Sequence, residues 1–372
     1  MTNFDIFNEK IVLVTGHTGF KGSWLSAWLG LLGAKVVGVS NALPSDPCNY
    51  QVSSLDNVLK DNRIDILDEK AIHDLIIDIQ PDFIFHLAAQ ALVRPSYEKP
   101  VETFLTNAIG SANILEALRS LEKSVTAVMI TSDKAYDNVE WNWGYRETDN
   151  LGGKDPYSAS KGMAELAIKS YVESYFNSPN SNIRIGITRA GNVIGGGDWA
   201  VDRIVPDCMM AWSENNVVDV RSPLATRPWQ HVLEPLSGYL ALATELFQRD
   251  SKHGEAYNFG PTSSQNRSVG ELINEMSKYW ENVRWNDISK SSQHVHEAGL
   301  LKLNCDKALA DLNWLPTLEF EETVRFTVEW YKEYYKSPQA SMYSFTKNQI
   351  SEYVDIAENR SISWASKINK NI

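Results

Sequence analysis

Short apolar runs alternate with longer segments whose apolar residues recur at helical spacing through the first half of the chain. The short runs fit buried strands, and the longer periodic segments fit amphipathic helices. The pattern predicts strands over residues 11–15, 35–40, 83–89, 125–131 and 184–189, with a short further strand before Asp65. It predicts helices over residues 20–32, 68–79 and 101–121, and from Pro156 towards Phe176. This alternation indicates an α/β fold with a doubly wound parallel sheet of the Rossmann type.

The pattern changes after about residue 191. Loops rich in glycine, proline and tryptophan, at 195–199 and 221–230, separate shorter predicted helices. A second, smaller lobe that caps the carboxyl edge of the sheet fits this change and the length of the chain. The predicted parts are a Rossmann domain over 1–190 with a return segment near 230–260, a smaller C-terminal substrate-binding lobe mainly over 191–340, and a peripheral tail over 341–372. The mixed composition of the tail leaves open whether it is a helix or a loosely held segment.

Composition narrows the kinds of partner. The chain has 372 residues, of which 43% are hydrophobic and 22% charged, as in folded globular proteins. A formal net charge of −12 argues against nucleic acid or an anionic membrane as a partner. The cysteines, Cys48, Cys208 and Cys305, show neither disulfide nor zinc spacing, so no metal site is predicted. The polar N-terminus and the lack of a long apolar stretch make the cytoplasm the expected location.

A glycine-rich segment, Gly16-His17-Thr18-Gly19-Phe20-Lys21-Gly22, lies between the first predicted strand and the first predicted helix. Gly16 would permit the tight turn, Gly19 the approach of backbone to a pyrophosphate, and Gly22 close helix packing. The helix N-terminus would then face the phosphates. This context predicts a dinucleotide site, with NAD as the cofactor.

Recognition of the adenosine ribose is less well defined. Ser40 and Asn41 stand where an acidic residue often binds the ribose, and no nearby arginine indicates NADP. Asp65 and Ile66 are candidates for the adenine edge. In isolation, Asp65 is equally well explained as a solvated loop residue.

The candidate catalytic residues fall in two short segments. Ser132-Asp133-Lys134 follows the apolar run 125–131, where a parallel strand would deliver side chains to the crevice. Tyr157 and Lys161 are four residues apart, so a helix would place both on one face, where the ammonium would lower the pKa of the phenol. A hydroxyl and a tyrosine suffice to oxidise an alcohol against a nicotinamide. The added acid and base indicate a second reaction, an elimination.

Each segment also has an ordinary explanation. Alone, Tyr157 and Lys161 would more often be surface helix residues, and the triplet 132–134 a solvated turn. Their position downstream of a dinucleotide motif favours catalysis. Among the histidines, His86 is expected to pack within its strand, and His17 to contact cofactor or substrate.

With these motifs the chain resembles the extended short-chain dehydrogenase/reductase family and, within it, the nucleotide-sugar 4,6-dehydratases. The resemblance covers nearly the whole chain. The segments that carry it are 16–22, 86–90, 107–110, 131–136, 157–161 and 189–193. The resemblance favours CDP-glucose as the substrate, and it is carried by three segments, 132–134, 196–203 and 221–232. Relatives specific for dTDP- and GDP-sugars carry Thr-Asp-Glu or similar where this chain has Ser-Asp-Lys at 132–134, which argues against those substrates.

The resemblance implies a redox-neutral dehydration. Tyr157, held as phenolate by Lys161, would take the proton from the C4 hydroxyl while Ser132 orients that oxygen. Lys134 would remove the C5 proton, and Asp133 would protonate the departing C6 hydroxyl. The hydride taken from C4 by NAD would return to C6. The resemblance also implies a homodimer formed by the helices over 101–121 and from Pro156 to Phe176, in a four-helix arrangement.

The remaining predicted contacts divide between cofactor and substrate. The residues predicted to bind NAD are Gly16, His17, Thr18, Gly19, Phe20, Gly22, Ser40, Asp65, Ile66, Leu87, Ala88, Ala89, Thr106, Tyr157 and Lys161. Those predicted to bind substrate are Gln90, Arg94, Ser132, Asn192, Arg203, Arg221, Arg227 and His231. The fork of donors on an arginine suits phosphate oxygens, although any one of these arginines could instead form a surface ion pair.

Two other functions fit parts of the pattern. A nucleotide-sugar epimerase of the same fold would keep Ser132, Tyr157 and Lys161 but would not need Asp133 and Lys134. A non-catalytic protein that binds NAD or a sugar nucleotide would need none of the proton-handling residues.

Overall fold

The computed structural model describes residues 3–262, 265–290 and 300–365. The strands are β1 (Ile11–Thr15), β2 (Lys35–Val39), β3 (Lys60–Asn62), β4 (Phe83–His86), β5 (Val125–Ile130), β6 (Ile183–Ala190), β7 (Val193–Ile194), β8 (Val218–Val220), β9 (Thr226–Pro228), β10 (Gln230–His231), β11 (Ala256–Phe259), β12 (Asn266–Ser268) and β13 (Trp285–Asp287).

Helices pack on the main sheet and recur through the C-terminal half. The α-helices are α1 (Phe20–Leu31), α2 (Asn49–Val52), α3 (Glu69–Ile79), α4 (Val93–Glu98), α5 (Pro100–Phe104), α6 (Gly110–Leu118), α7 (Pro156–Tyr171), α8 (Ile204–Ser213), α9 (Leu233–Gln248), α10 (Val269–Met276), α11 (Asp306–Leu312), α12 (Phe320–Lys336) and α13 (Tyr343–Asn359). Short 3-10 or π segments lie at Asn3–Phe7, Leu55–Asn57, Leu105–Ile109, Asp133–Ala135, Val172–Phe176 and Asp250–Lys252.

Seven parallel strands form the main sheet in the order β11-β6-β5-β4-β1-β2-β3. The chain builds outward from β1 in one direction and then returns to build in the other, which opens a crevice at the carboxyl ends of β1 and β4. Every residue of β5 is buried, as expected for a strand covered by helices on both faces. The predicted doubly wound parallel sheet is confirmed.

Two predicted elements end differently. The predicted strand over 83–89 stops at His86, because the chain then turns to lie against Gly16, whose hypothetical Cβ would be 2.7 Å from the Ala88 nitrogen. The predicted helix over 101–121 is divided into α5, a π segment at Leu105–Ile109, and α6.

Beyond β6, the chain makes shorter elements and then rejoins the main sheet. Helix α9 packs on β5 and β6, and β11 pairs with β6 in parallel. The remaining strands form two-stranded sheets, β10 with β7, β12 with β9 and β13 with β8. No helix in the described part of the chain combines the length and apolar composition needed to cross a bilayer.

The C-terminal segment left open by the sequence is helical over α13, and the buried carboxylate of Glu234 ties this helix to the core. Glu234, in the first turn of α9, accepts hydrogen bonds from the backbone nitrogens of Leu318 (2.6 Å) and Thr317 (2.9 Å) and from the Tyr353 hydroxyl on α13 (2.9 Å). Burial raises the pKa of Glu234 to about 7, against the lowering effect of these three donors.

Glu234 should make the stability of the fold depend on pH. Its pKa is about 7 in the folded chain and near 4.5 when unfolded, so the native state holds more protons between these values. Stability should therefore fall as the pH rises from 4.5 to 7, by up to about 1.4 kcal/mol per pH unit, and level off above. In Glu234→Gln the melting temperature should change less between pH 5 and pH 7.5 than in the wild type. The exposed Glu214→Gln should keep the wild-type dependence, and an equal dependence in all three proteins would refute this role.

Candidate active site

The turn between β1 and α1 is built for close approach of a ligand to the backbone. Gly16 has φ +72° and donates its N–H to the Val39 carbonyl at 2.7 Å. A Cβ on Gly22 would lie 2.1 Å from the Gly16 carbonyl oxygen, so a side chain there would force α1 off the turn. Gly19 is the N-cap of α1 and offers no side chain to the first-turn N–H groups. The N-terminus of α1 can therefore receive an anion.

The residues predicted at the adenosine end lie together beyond β2. The Thr18 hydroxyl is 2.7 Å from that of Ser40 and also donates to the Ala42 carbonyl at 2.8 Å. The Asn41 amide donates to the Asp65 carboxylate at 3.0 Å. Asp65 therefore already holds the end of β2 in place, whether or not it contacts an adenine. Its neighbour Ile66 is buried.

His17 has no surface to offer a ligand. Its side chain is fully buried, its ring lies against Gly38, and Nε2 is 3.0 Å from the Asp61 carboxylate. Burial lowers the pKa of His17, so the ring is neutral near pH 7. The side chain is therefore enclosed by protein, and a contact of His17 with cofactor or substrate stays a prediction.

The segment after β4 lines the other side of the crevice. The Leu87 nitrogen donates to the Thr15 carbonyl at 3.1 Å, and the Ala88 nitrogen to the Thr15 hydroxyl at 3.2 Å. Ala89 follows half-buried, and Thr106 lies in the π segment after α5. The Gln90 amide is engaged locally, donating to the Leu92 carbonyl at 2.9 Å.

The candidate catalytic side chains meet where β5 ends beside the start of α7. Asp155 caps α7 by accepting from the Ser158 nitrogen at 2.9 Å, which orients the first turn carrying Tyr157. Ser132 and Asp133 are buried beyond β5, and the Ser132 hydroxyl donates to the Asp133 carboxyl at 3.0 Å. Tyr157 lies close enough for both residues to influence its pKa. Lys161 is buried one turn along α7, and Lys134 is half-buried.

Burial dominates the electrostatics of this cluster. It raises the pKa of Asp133, which favours a protonated carboxyl, and lowers the pKa of Lys161 to about 8. Burial also raises the pKa of Tyr157 to about 12, although the Ser132 hydrogen bond and the charge of Arg203 act to lower it. Desolvation thus opposes ionisation of Tyr157, and its phenolate form beside Lys161 stays a prediction.

Lys21 belongs to this cluster and was missed from the sequence. It lies in the first turn of α1, half-buried. Burial lowers its pKa to about 8; the charges of Arg203 and Lys161 lower it further, while that of Asp133 raises it. Lys21 is the one residue of the motif 16–22 without a predicted role, and nothing in the spacing distinguishes this lysine.

Three of the predicted substrate-binding arginines are held by nearby carboxylates. Arg203 contacts Asp198 at 2.6 Å, and Arg94 and Arg221 contact one oxygen of Asp202 at 2.7 and 3.1 Å. Arg94 on α4 and Arg221 after β8 therefore converge on one carboxylate, that of Asp202, whereas Arg203 lies against a second one.

The other residues predicted to bind substrate differ in how accessible they are. Arg227 lies on β9 and donates to the Thr226 carbonyl at 2.9 Å, and Asn192 follows β6, half-buried. His231 is fully buried between Trp24 and Phe326, and burial lowers its pKa to about 3. The ring of His231 thus packs in the core, and its contact with substrate stays a prediction.

Comparison with known proteins agrees with this geometry. Residues 13–327 match the family model for GDP-mannose 4,6 dehydratase. The CDP-glucose 4,6-dehydratase of Salmonella typhimurium strain LT2 is 42% identical over 358 residues, which cover 95% of this chain and 99% of that protein.

Two solved structures share the fold. An epimerase from Methanothermobacter thermautotrophicus has a TM-score of 0.74 and 23% identity, covering 90% of this chain and 95% of its own. The UDP-glucuronic acid 4-epimerase from Bacillus cereus, solved with UDP-glucuronic acid and NAD, has a TM-score of 0.73 and 23% identity, covering 87% and 99%.

The sheet order, the glycine turn and the Tyr157–Lys161 pair define a protein of the extended short-chain dehydrogenase/reductase class. Within that class, the chain belongs to the GDP-mannose 4,6-dehydratase family, which confirms the resemblance found in the sequence.

Proposed function

We propose that this protein is an NAD-dependent hydro-lyase that converts CDP-glucose to CDP-4-keto-6-deoxyglucose. The observation that carries the proposal is a buried acid, Asp133, hydrogen-bonded to Ser132 beside Tyr157. An alcohol oxidation alone would not need this carboxyl. Its raised pKa fits an acid that gives its proton to a departing hydroxyl. The 42% identity to the Salmonella CDP-glucose 4,6-dehydratase supports the substrate.

The Rossmann part, residues 1–190 with the return segment near 230–260, would hold NAD. A cradle that a Cβ on Gly16 would fill, together with the open N-terminus of α1, fits a pyrophosphate. The NAD in the Bacillus cereus structure of the same fold supports this assignment. When bound, oxidised NAD supplies the acceptor for the C4 hydride and, once reduced, the donor that returns it to C6.

The chain's own residues would handle three protons. Tyr157 takes the proton of the C4 hydroxyl, with Ser132 orienting that oxygen. Burial raises the pKa of Tyr157 to about 12, so positive charge near the phenol, such as that of Arg203, favours this step. The 4-ketone then acidifies the C5 proton, which Lys134 removes. Asp133 protonates the C6 hydroxyl, which leaves as water. The hydride taken from C4 is then added at C6 and a proton returns to C5, so the C4 ketone remains in the product.

The lobe over residues 191–340 would hold the nucleotide sugar. In this acidic protein, Arg94 and Arg221 share the Asp202 carboxylate, and Arg203 lies against Asp198. A pyrophosphate offers more charge and more acceptor oxygens than Asp202 does, so substrate would displace that carboxylate from the two arginines. Arg227 and Asn192 are further candidates in the same lobe.

A homodimer is part of the proposal. Large apolar side chains are exposed at four-residue spacing along α4, α5 and the π segment, with two more on α7. They are Tyr97, Val101, Leu105, Ile109, Met163 and Leu166. Two copies of this stripe would cover each other through a two-fold axis and form a four-helix interface.

The cytoplasm is the proposed location. The cysteines Cys48, Cys208 and Cys305 are all free thiols, which is consistent with a reducing compartment.

An epimerase is the second candidate, favoured by the fold shared with the two epimerases above. Such an enzyme would oxidise C4 with Ser132, Tyr157 and Lys161 and return the hydride to the same carbon. The buried acid Asp133 would then have no proton to deliver, which favours the dehydratase.

The nucleotide preference can be measured directly. With CDP-glucose, the purified protein should form a 4-keto sugar, detected by its ultraviolet absorbance in alkali, without net NADH. Turnover efficiency with dTDP-glucose or GDP-mannose should be lower by about fivefold to more than a hundredfold, since a buried polar group left without its hydrogen bond costs about 1–3 kcal/mol. Equal efficiency with dTDP-glucose would refute the CDP assignment, and accumulation of NADH would refute the redox-neutral reaction.

The two halves of the reaction can be separated by mutation. Tyr157→Phe should abolish both transient NADH and C5 proton exchange, because no ketone forms. Lys134→Met should allow C4 oxidation and then stall, with NADH absorbance persisting in a single turnover. Loss of a general base typically costs about a hundredfold to ten-thousandfold in rate. Lys154→Met, at an exposed lysine, serves as the control. Near-normal product formation by Lys134→Met would exclude Lys134 as the base.

A further inference from the structure

A fully buried ion pair lies directly beneath the catalytic cluster. Arg189 on β6 donates from Nε to Glu165 Oε1 on α7 at 2.7 Å, and its Nη2 donates to the other carboxylate oxygen. Both side chains have an exposed fraction of 0%. A two-point contact of this kind fixes the orientation of both groups.

The same pair holds the chain on both sides of the triplet 132–134. Before the triplet, the Thr131 hydroxyl donates to Glu165 Oε1 at 2.7 Å. After it, Arg189 Nη1 donates to the Tyr136 hydroxyl at 2.6 Å, and the guanidinium stacks 4.6 Å above the Tyr136 ring. Two side chains that bracket Ser132, Asp133 and Lys134 are therefore fastened to one buried pair.

Glu165 also faces the other catalytic segment. It is four residues after Lys161, one turn along α7, so the two side chains share a face of the helix. Its charge raises the pKa of Lys161 against the larger, lowering effect of burial.

We propose that Glu165, locked by Arg189, is a positioning residue for catalysis: it fixes the Ser132-Asp133-Lys134 turn against the helix that carries Tyr157 and Lys161. The turnover part of this proposal rests on the proposed function, whereas its effect on Lys161 does not.

A purely stabilising role makes a different prediction. Removing one partner of a buried pair leaves an uncompensated charge, whereas replacing both with apolar residues of similar size is often neutral or stabilising. If the pair positions the catalytic groups, kcat should fall after either change. Thr131 offers a milder test, since Thr131→Val removes one hydrogen bond and leaves the pair intact.

The first experiment compares Glu165→Gln and Thr131→Val with Thr126→Val, at a buried threonine on the other end of β5. Misplacement of catalytic groups by about 1 Å can cost a hundredfold, so the kcat of the first two variants should fall by at least about tenfold. KM should stay within about threefold, because neither side chain touches substrate. Thr126→Val should keep wild-type kcat. Wild-type kcat in Thr131→Val and Glu165→Gln would overturn the proposal.

The second experiment separates positioning from stability. The double variant Glu165→Met/Arg189→Met should regain melting temperature relative to Glu165→Met while kcat stays low. Recovery of kcat together with stability would mean that the pair only stabilises the fold. Because it introduces no unpaired charge, the double variant also decides the matter if a single variant does not fold.

The third readout does not need the reaction. Lysine labelled with carbon-13 at Cε reports the titration of Lys161, assigned by its loss in Lys161→Arg. The midpoint should lie near pH 8 in the wild type and at a lower pH in Glu165→Gln, because a nearby negative charge has been removed. An unchanged midpoint would refute the coupling. If the wild type does not turn over CDP-glucose, the proposed function fails, and this titration still tests the placement of Glu165.

Discussion

The active site depends on the cost of burying ionisable groups at the carboxyl edge of the sheet. Asp133, Tyr157 and Lys161 each expose less than a tenth of their surface. Desolvation favours the neutral form of each group. It therefore favours a protonated Asp133, which can act as an acid, and disfavours the phenolate form of Tyr157. Nearby positive charge therefore favours the ionisation of Tyr157 that oxidation at C4 would use. The charges of Lys134 and Lys21 oppose the protonated form of Asp133 that elimination would use, and burial outweighs them. One constraint thus sets opposite conditions for the two halves of the proposed reaction.

The fold meets this constraint by holding the groups rigidly. The turn after β1 packs against the Ala88 backbone at Gly16, where a side chain would not fit. This close packing keeps the N-terminus of α1 open to a ligand. At the far end of the crevice, the Glu165–Arg189 pair fixes the segments on both sides of the catalytic turn. The helix α13, tied to Glu234, packs on α1 from behind. Preorganised dipoles and charges cost no reorganisation when the reaction occurs, which is why such rigidity favours catalysis.

Much of the fold follows from local patterns, and much of the site follows from short motifs. Strand β5 could be predicted because a strand covered on both faces is a continuous apolar run. The glycine turn and the Tyr157–Lys161 spacing are local as well. The burial of His17 and His231 could not be predicted, because it depends on residues distant in sequence, such as Asp61 and Phe326.

Residues that act through tertiary contacts were not predictable in the same way. Lys21 joins the cluster only because α1 points at the end of β5, and the partner of Glu165 is set by the pairing of β5 with β6.

The central claim is that the hydride leaves C4 and returns to C6. CDP-glucose deuterated at C4 tests it most directly, with the product examined by NMR. The account predicts deuterium in the C6 methyl group of a 4-keto sugar. Deuterium retained at C4 of an epimerised hexose, or lost to free NADH, would contradict it.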